Sequence, residues 1–395
     1  TRQGLSGCSA LSIVRFMTNQ RDLSIRRLRW GLVAAYVLHV LILAAFVLEV
    51  VPQQYHHPER TFWLHHGGDD WGYVSLAQTI LKADFQPNKY PLGFPLLITP
   101  FMAIMGTTSH DALLPVISAF WSLVMFPVGQ ILLAYLAESW TGRRWLALQS
   151  VLIWTSLPVV FFVVLRVVGN ASVAETYSVH LLWAQMLSDG PAVLFTLLVM
   201  AAFVRLRASP LPHNWAALLG VLCGFLALVR LTGALGAAAV GLALLLERRW
   251  RELGMMVVCA LIVFAPQLVY QWHFFDHPLR TGYTALDTLP DQGLFHVSYL
   301  SAGLEKIIDR VGLLIVPAVI ISLGIAAAGL RFVWRIDRLG AIVLGTWLVS
   351  YGVVYAVYYY TWVGGAARFL MPTFPAIAIL ATSAIAALAR RGRPA

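Results

Sequence analysis

Apolar segments long enough to cross a lipid bilayer recur along most of this chain, and short polar or basic loops separate them. A helix that spans a bilayer requires about 20 consecutive apolar residues. Of the 395 residues, 59% are hydrophobic and only 12% are charged, more apolar side chain than a water-soluble protein of this length can bury. The sequence therefore predicts an all-α polytopic membrane protein with about ten transmembrane helices and juxtamembrane helices at its outer face.

The basic residues predict the orientation of the chain, because cytoplasmic loops of membrane proteins are rich in Arg and Lys. An Arg-rich segment precedes the first apolar segment. It predicts a cytoplasmic N-terminus and places the loop at 52–110 outside. Within that loop, the apolar residues of segment 71–83 have helical spacing, which predicts a short amphipathic helix on the membrane surface.

The apolar segment at 90–106 decides the orientation of everything that follows. It is short and contains Pro91, Pro95 and Pro100, which suit a re-entrant or interfacial segment better than a spanning helix. If it does not span, all the basic loops and the basic tail are cytoplasmic, and we adopt that topology. The loops are those at 142–144, 205–207, 248–251 and 331–338, and the tail is at 390–393. The predicted spans are then 30–51, 111–137, 146–168, 190–206, 215–229, 233–247, 254–272, 312–330, 339–358 and 368–389.

One membrane domain is expected, over residues 30–389. Residues 1–29 would form a cytoplasmic N-terminal segment, and residues 390–395 a basic cytoplasmic tail. Because the chain does not begin with Met and an Arg-rich lead-in follows Met17, we interpret residues 1–16 as upstream sequence. The three cysteines show no paired spacing, so neither a disulfide framework nor a metal site is predicted from them.

Three acidic residues at the outer ends of apolar segments are candidates for chemistry. Asp69 and Asp70 are adjacent and begin the outer amphipathic segment. A carboxylate near a hydroxyl can take its proton as a general base, but Asp is also a favoured helix cap, and spacing alone leaves both interpretations open. Asp189, followed by Gly and Pro, is likewise an ordinary helix start. At the same membrane depth as Asp69, it is also a candidate partner for binding a divalent cation or orienting a nucleophile.

Arg230 and Arg368 lie at the outer ends of apolar helices. Arg in such a position often only extends its charge to the interface. However, Arg is uncommon on the outer side of the membrane, because positive charges are preferred in the cytoplasmic loops. The planar guanidinium also has hydrogen-bond donors whose geometry fits phosphate oxygens. A phosphate-binding role is therefore the second interpretation, and Arg280 in an outer loop is a further candidate.

Histidines and aromatic residues of the outer loops are less informative. The histidines at 56–57 and 65–66 are adjacent pairs rather than ligands one helical turn apart, so we predict surface residues and no metal site. The aromatic run at 358–360 with Trp362 is typical of an interfacial belt, although sugar rings also stack on such side chains.

Five short motifs follow one another along the chain from residue 30 onward. They are Asp69-Asp70-Trp71-Gly72-Tyr73 with Ala77, Tyr90-Pro91-Leu92-Gly93-Phe94-Pro95-Leu96-Leu97, Ser188-Asp189-Gly190-Pro191, Asp276-His277-Pro278-Leu279-Arg280-Thr281-Gly282-Tyr283 and Arg368-Phe369-Leu370-Met371-Pro372-Thr373-Phe374-Pro375. None is specific alone, but in this order they resemble the GT-C superfamily of glycosyltransferases. The nearest branch is the bacterial relatives of protein O-mannosyltransferases and lipid A aminoarabinose transferases. The second acid is Asp70, where that family more often has Glu.

The resemblance implies a fold, a reaction and roles for residues. It implies inverting transfer of a sugar from a polyprenyl-phosphate donor to an acceptor hydroxyl, at the periplasmic or extracellular side of a bacterial inner membrane. Asp69 would be the base with Asp70 beside it, and Asp189 would position the acceptor or a metal. The donor phosphate would be held by Arg368, Arg230 and Arg280, and the substrate would contact Tyr73, Tyr283, Tyr360 and Trp362. The partners would be the lipid-linked donor, membrane lipids and a glycan, lipid or protein acceptor, with no nucleic acid. No metal ligand is assigned, and a divalent cation stays an open alternative.

A transporter or lipid flippase is the main competing hypothesis, since composition alone is equally compatible with it. Transporters usually place ionisable residues near the middle of the bilayer, often in two repeated halves. Here the candidate residues lie at one face and no internal repeat is found. A partner subunit that kept the fold and lost activity is a third possibility, against which the intact acids count. The sugar, the lipid length and the acceptor are not indicated by the sequence.

Overall fold

The computed structural model describes residues 10–50, 69–167, 181–311, 315–360 and 366–391. Helices account for most of these residues, and the β-structure within them is a single bridge between Phe295 and Tyr358. The helices are α1 (Ala10–Ala45), α2 (Asp69–Lys82), α3 (Gly93–Met105), α4 (His110–Thr141), α5 (Arg144–Val167), α6 (Asp189–Ala208), α7 (Pro212–Val229), α8 (Ala234–Leu246), α9 (Trp250–Phe275), α10 (Gly282–Leu286), α11 (Ser298–Val311), α12 (Ile315–Trp334), α13 (Arg338–Ala356), α14 (Ala366–Phe369) and α15 (Phe374–Arg391).

Eight helices in the described ranges are long and apolar enough to cross a membrane, namely α1, α4, α5, α6, α7, α9, α13 and α15 with its preceding turn. Two further apolar helices, α3 and α8, are shorter, with 13 residues each, and α12 is apolar over Ile320–Trp334. This confirms the predicted all-α polytopic membrane protein. Of the two remaining predicted spans, 233–247 corresponds to the shorter helix α8, and 312–330 overlaps the 20-residue helix α12. For α8 the reason is that a 3-10 turn at Leu231–Gly233 precedes it and a polar loop begins at Glu247.

The segment that contains the short helix α3, from Gly93 to His110, begins and ends at the same end of the molecule. Gly93 at its start lies against the backbone of Leu228 and Val229, at the end of α7. A few residues after α3 ends, His110 lies 3.2 Å from Asp70 in the first turn of α2. The segment therefore does not cross the bundle, in agreement with the non-spanning interpretation of its prolines.

The basic loops meet at the opposite end. Arg207, near the end of α6, donates a hydrogen bond of 2.7 Å to Asp337, which caps the start of α13. The same guanidinium lies 3.3 Å from Glu247, which follows α8. Because Asp189 and Arg207 lie at opposite ends of α6, these contacts place the basic loops away from the end that carries Asp189.

Close approach of α3 to α7 depends on the absence of a side chain at Gly93. A Cβ atom there would lie 2.3–2.6 Å from backbone atoms of Leu228 and Val229. Gly93→Ala is therefore expected to lower the free energy of unfolding by about 1–3 kcal/mol, because the helices have to separate. Thermal unfolding in detergent micelles measures the effect.

The matched control is Gly352→Ala in α13, where no atom lies within 4 Å of the added Cβ. Equal unfolding midpoints for the two variants would contradict the close contact between α3 and α7.

Candidate active site

Four charged side chains from distant parts of the chain meet at the end opposite the basic loops. Asp189 begins α6 and Arg230 follows α7, and a short turn at 209–211 makes these two helices antiparallel, which brings the two residues to one end. Asp69 begins α2, and Arg368 lies in α14 just before the last long helix. The fold therefore assembles acids and bases that the sequence separates by up to 299 positions.

Arg368 joins the two carboxylates. Its Nη2 atom donates to Asp69 Oδ2 at 2.8 Å, and its Nε atom donates to Asp189 Oδ2 at 2.7 Å. The other oxygen of Asp189 accepts a hydrogen bond from Arg230. The side chains of Asp189 and Arg368 are only 3% and 6% exposed, whereas that of Asp69 is 28% exposed. Asp69 is thus the acid of this cluster that a substrate can reach.

The environment keeps both guanidinium groups charged. Burial alone would lower the pKa of Arg368, but the charges of Asp189 and Asp69 raise it above its usual value. Burial acts in the same sense on Arg230, and the charge of Asp189 raises its pKa well above the usual value. Both groups also lie near the Phe369 ring, 4.8 Å from its centroid for Arg230 and 5.6 Å for Arg368, where the ring face attracts a cation.

Tyr90 supplies a second donor to Asp69. Its hydroxyl donates to Asp69 Oδ1 at 2.7 Å. Burial, followed by the negative charge of Asp69, raises the pKa of Tyr90, so the phenol remains protonated and able to donate. The ring reaches this position only because residue 72 is Gly, since a Cβ there would lie 2.1 Å from the Tyr90 ring.

A cavity of about 340 Å³ adjoins the cluster. Arg230 and Arg368 form its charged wall, and aromatic side chains that include Tyr73, Tyr283 and Tyr358 form much of the remainder. Apolar side chains and the hydroxyl residues Ser188, Thr232 and Thr281 complete it, and no carboxylate is among the described residues that line it. A lining with two cations, several phenols and an apolar surface suits a ligand that carries an anionic group and an apolar portion.

Asp70, predicted as a neighbour of the base, lies elsewhere. It is fully buried, and its Oδ2 atom is 3.2 Å from His110 Nε2 rather than in the arginine cluster. The reason is helical geometry, since successive residues of a helix point about 100° apart. Asp189 is the first residue of α6, and its two carboxylate oxygens accept hydrogen bonds from Arg230 and Arg368.

Other predicted residues are divided between the cavity and its surroundings. Tyr73 and Tyr283 line the cavity, and the Tyr73 hydroxyl is 2.9 Å from Ser188 Oγ. Tyr360 instead donates a 2.5 Å hydrogen bond to Asp287. Arg280 is exposed in its loop and does not line the cavity. Trp362 lies outside the described residues.

Some site residues were not singled out from the sequence. Tyr90 belongs to the second of the five motifs and directly precedes Pro91. Nothing in the spacing of the motifs indicated its hydrogen bond to Asp69. Phe369 and Tyr355 both line the cavity. Nothing in the sequence indicated Tyr355, whereas Phe369 could have been found from its position next to Arg368. Thr232, 2.6 Å from the Tyr355 hydroxyl, follows Arg230 in the same way.

A divalent cation does not fit the acids of the cluster as they are arranged. Arg368 already lies between Asp69 and Asp189 and bonds to both. Within the described ranges, no group of three or more His, Cys, Asp or Glu residues is placed to hold a metal ion. We therefore assign no step to a metal.

Comparison with known proteins gives similarity in structure only. No family model matches the chain, and no curated protein matches it significantly. Among solved structures, apo ArnT from Cupriavidus metallidurans aligns with a TM-score of 0.53 and 15% identity, over 91% of this chain and 60% of ArnT. ArnT bound to undecaprenyl phosphate aligns with a TM-score of 0.52 and 15% identity, over 89% of this chain and 60% of that one.

The apo oligosaccharyltransferase of Archaeoglobus fulgidus aligns with a TM-score of 0.53 and 11% identity, over 91% of this chain and 51% of the enzyme. The chain thus spans about half to three fifths of the length of these proteins. Both are GT-C glycosyltransferases. The chain described here therefore has the transmembrane fold of the GT-C glycosyltransferases.

Proposed function

We propose that this protein transfers a sugar from a polyprenyl-phosphate donor to an acceptor hydroxyl, with inversion at the anomeric carbon. The observation that carries the proposal is the Asp69–Arg368–Asp189–Arg230 cluster beside a cavity with two cationic groups in its wall. The fold is that of glycosyltransferases, and one protein with this fold was solved bound to undecaprenyl phosphate.

Asp69 is the base of the proposed reaction. It is the most exposed acid of the cluster, and two donors fix the direction of its carboxylate. The acceptor oxygen forms a bond to the anomeric carbon while the bond from that carbon to the phosphate oxygen breaks. The acceptor proton moves to Asp69, and the electron pair of the broken bond leaves with polyprenyl phosphate.

The two arginines stabilise the leaving group. As the glycosidic bond breaks, negative charge increases on the phosphate, and fixed guanidinium groups beside it lower the energy of the transition state. Asp189 holds both guanidiniums in place and is too buried to exchange protons with an acceptor. The apolar part of the cavity receives the start of the lipid chain, which keeps the donor oriented.

The reaction is proposed to take place on the periplasmic or extracellular side of a bacterial inner membrane. Loops rich in Arg favour the cytoplasm, and here they lie at the end opposite the cluster. The acceptor is a glycan, lipid or protein hydroxyl.

The test is a transfer assay in nanodiscs with a panel of radiolabelled polyprenyl-phosphate sugars and a mixture of glycan, lipid and peptide acceptors. Release of polyprenyl phosphate together with a labelled acceptor supports the proposal and names the donor. Nucleotide sugars serve as matched donors without a lipid and are expected to give no product. Folded protein that uses no lipid-linked donor, but moves solute or lipid across proteoliposomes, would establish the transporter hypothesis instead.

Tyr90→Phe is expected to reduce the turnover number by on the order of 10- to 100-fold, because a hydrogen bond to a charged group contributes about 1.5–3 kcal/mol. The ring stays, so the packing against Gly72 is unchanged, and the Michaelis constant for the donor is expected to change little. Steady-state kinetics of the transfer measures both quantities.

The matched control is Tyr299→Phe, which removes a hydroxyl that donates a hydrogen bond to the loop carbonyl of Gly293. Equal turnover by the two variants would contradict a role for the Tyr90 hydroxyl in orienting Asp69.

A further inference from the structure

Asp70 follows Asp69 in the first turn of α2 but faces a different helix. Asp69 bonds to Tyr90 and Arg368, whereas Asp70 is fully buried against His110 at the start of α4. Neither Asp70 nor His110 lines the cavity. The contact between them thus fixes the turn that carries the proposed base without touching the proposed substrate.

His110 is enclosed by two carboxylates and an aromatic ring. Its Nε2 atom is 3.2 Å from Asp70 Oδ2, and its Nδ1 atom is 3.0 Å from Asp111 Oδ1. The Trp71 indole stacks on the imidazole, with centroids 4.1 Å apart and planes 12° from parallel. The His110 side chain is 2% exposed, while that of Asp111 is 71% exposed.

Only the protonated imidazole carries a hydrogen on both nitrogens, so only the imidazolium can present an N–H group to each of the two carboxylates at once. The N-terminal end of α4 disfavours a cation, but two carboxylates within 3.2 Å and the face of the Trp71 ring favour it. Loss of the proton would leave one carboxylate facing a lone pair. For the buried Asp70, this loosens the contact that holds the first turn of α2.

We propose that His110 is a positioning residue, which as an imidazolium holds Asp70 and thereby keeps the Asp69 carboxylate aligned with Arg368 and Tyr90. This inference rests on the proposed glycosyl transfer. It gives the reaction an alkaline limb, because turnover falls when His110 loses its proton. The nearby phenols do not compete for this limb, since burial and the charge of Asp69 raise the pKa values of Tyr73 and Tyr90.

The test compares pH profiles of transfer from pH 5.5 to 9 for wild type, His110→Gln and His110→Lys, after folding is checked by size-exclusion chromatography. His110→Gln keeps a donor without a charge, and is expected to lower turnover about tenfold at pH 7 and to lose the alkaline limb. His110→Lys retains a cation and is expected to restore turnover at pH 9 above that of wild type. The Michaelis constant for the donor is expected to stay within about twofold.

Asp111→Asn is expected to leave the fold intact, because the Asp111 side chain is largely exposed. It removes one carboxylate facing the ring and is expected to move the alkaline limb to lower pH, with the turnover at pH 6 unchanged. A His110→Gln enzyme with the wild-type limb, or an Asp111→Asn enzyme with an unmoved limb, overturns this inference alone. Folded wild-type protein that is inactive at every pH overturns it together with the proposed function.

Discussion

Asp69→Asn is expected to lower the turnover number for sugar transfer by about 10²- to 10⁴-fold, the range over which a general base contributes to catalysis. The substitution keeps the size of the side chain and an oxygen that can accept from Arg368, but the amide cannot take the acceptor proton. Since Asp69 is not among the residues lining the cavity, affinity for the donor is expected to remain. Turnover and donor binding, measured on the same nanodisc preparation, separate the two effects.

The matched control is Asp84→Asn, an exposed acid just beyond the end of α2. It undergoes the same chemical change at a distance from the cluster and is expected to retain wild-type turnover. Transfer by Asp69→Asn at the rate of the control would show that another group takes the proton.

Asp189→Asn is expected to destabilise the protein by about 3–5 kcal/mol, the usual effect of removing one partner from a buried ion pair. The carboxylate is 3% exposed and bonds to both Arg230 and Arg368. Without it, two buried guanidinium groups repel each other with no shared counter-charge. Unfolding followed by heat or by SDS titration in micelles gives the change.

A charge-compensated variant distinguishes this cause from a general packing defect. Adding Arg230→Gln to Asp189→Asn removes the excess positive charge, so the double variant is expected to be more stable than Asp189→Asn alone. Glu138→Gln breaks a half-exposed pair with Arg144 at the opposite end and is expected to change stability by about 1 kcal/mol or less. An Asp189→Asn protein no less stable than Glu138→Gln would contradict the role assigned to the buried cluster.

Much of the architecture follows from patterns that act locally. Apolar length predicts spanning helices, and the prolines of 90–106 with the basic loops predict which segment does not cross. Those two rules together place Asp69, Asp189, Arg230 and Arg368 at one end, where the structure also places them. Eight of the predicted spans correspond to helices that are long and apolar enough to cross a membrane in the described ranges, and the other two correspond to the apolar helices α8 and α12.

The contacts within the site could not be predicted, because they join positions far apart in the sequence. Nothing in the spacing indicates that Arg368 bonds to Asp69 and Asp189, which lie 299 and 179 positions away. For an Asp at a helix start, the sequence does not distinguish capping of the helix from an ion pair with a distant residue. The partners of the Asp189 side chain could therefore be identified only from the fold. Asp70 shows the same limit, since neighbours in sequence on a helix face different surroundings.

The stereochemistry of the product tests the central claim most directly. If Asp69 deprotonates an acceptor hydroxyl that displaces the lipid phosphate in one step, the sugar changes its anomeric configuration once. NMR of the product formed from a donor of known configuration is therefore predicted to show inversion. Retention would require an intermediate glycosylated on the enzyme and a second displacement, and would contradict the assignment of Asp69 as the base in a single step.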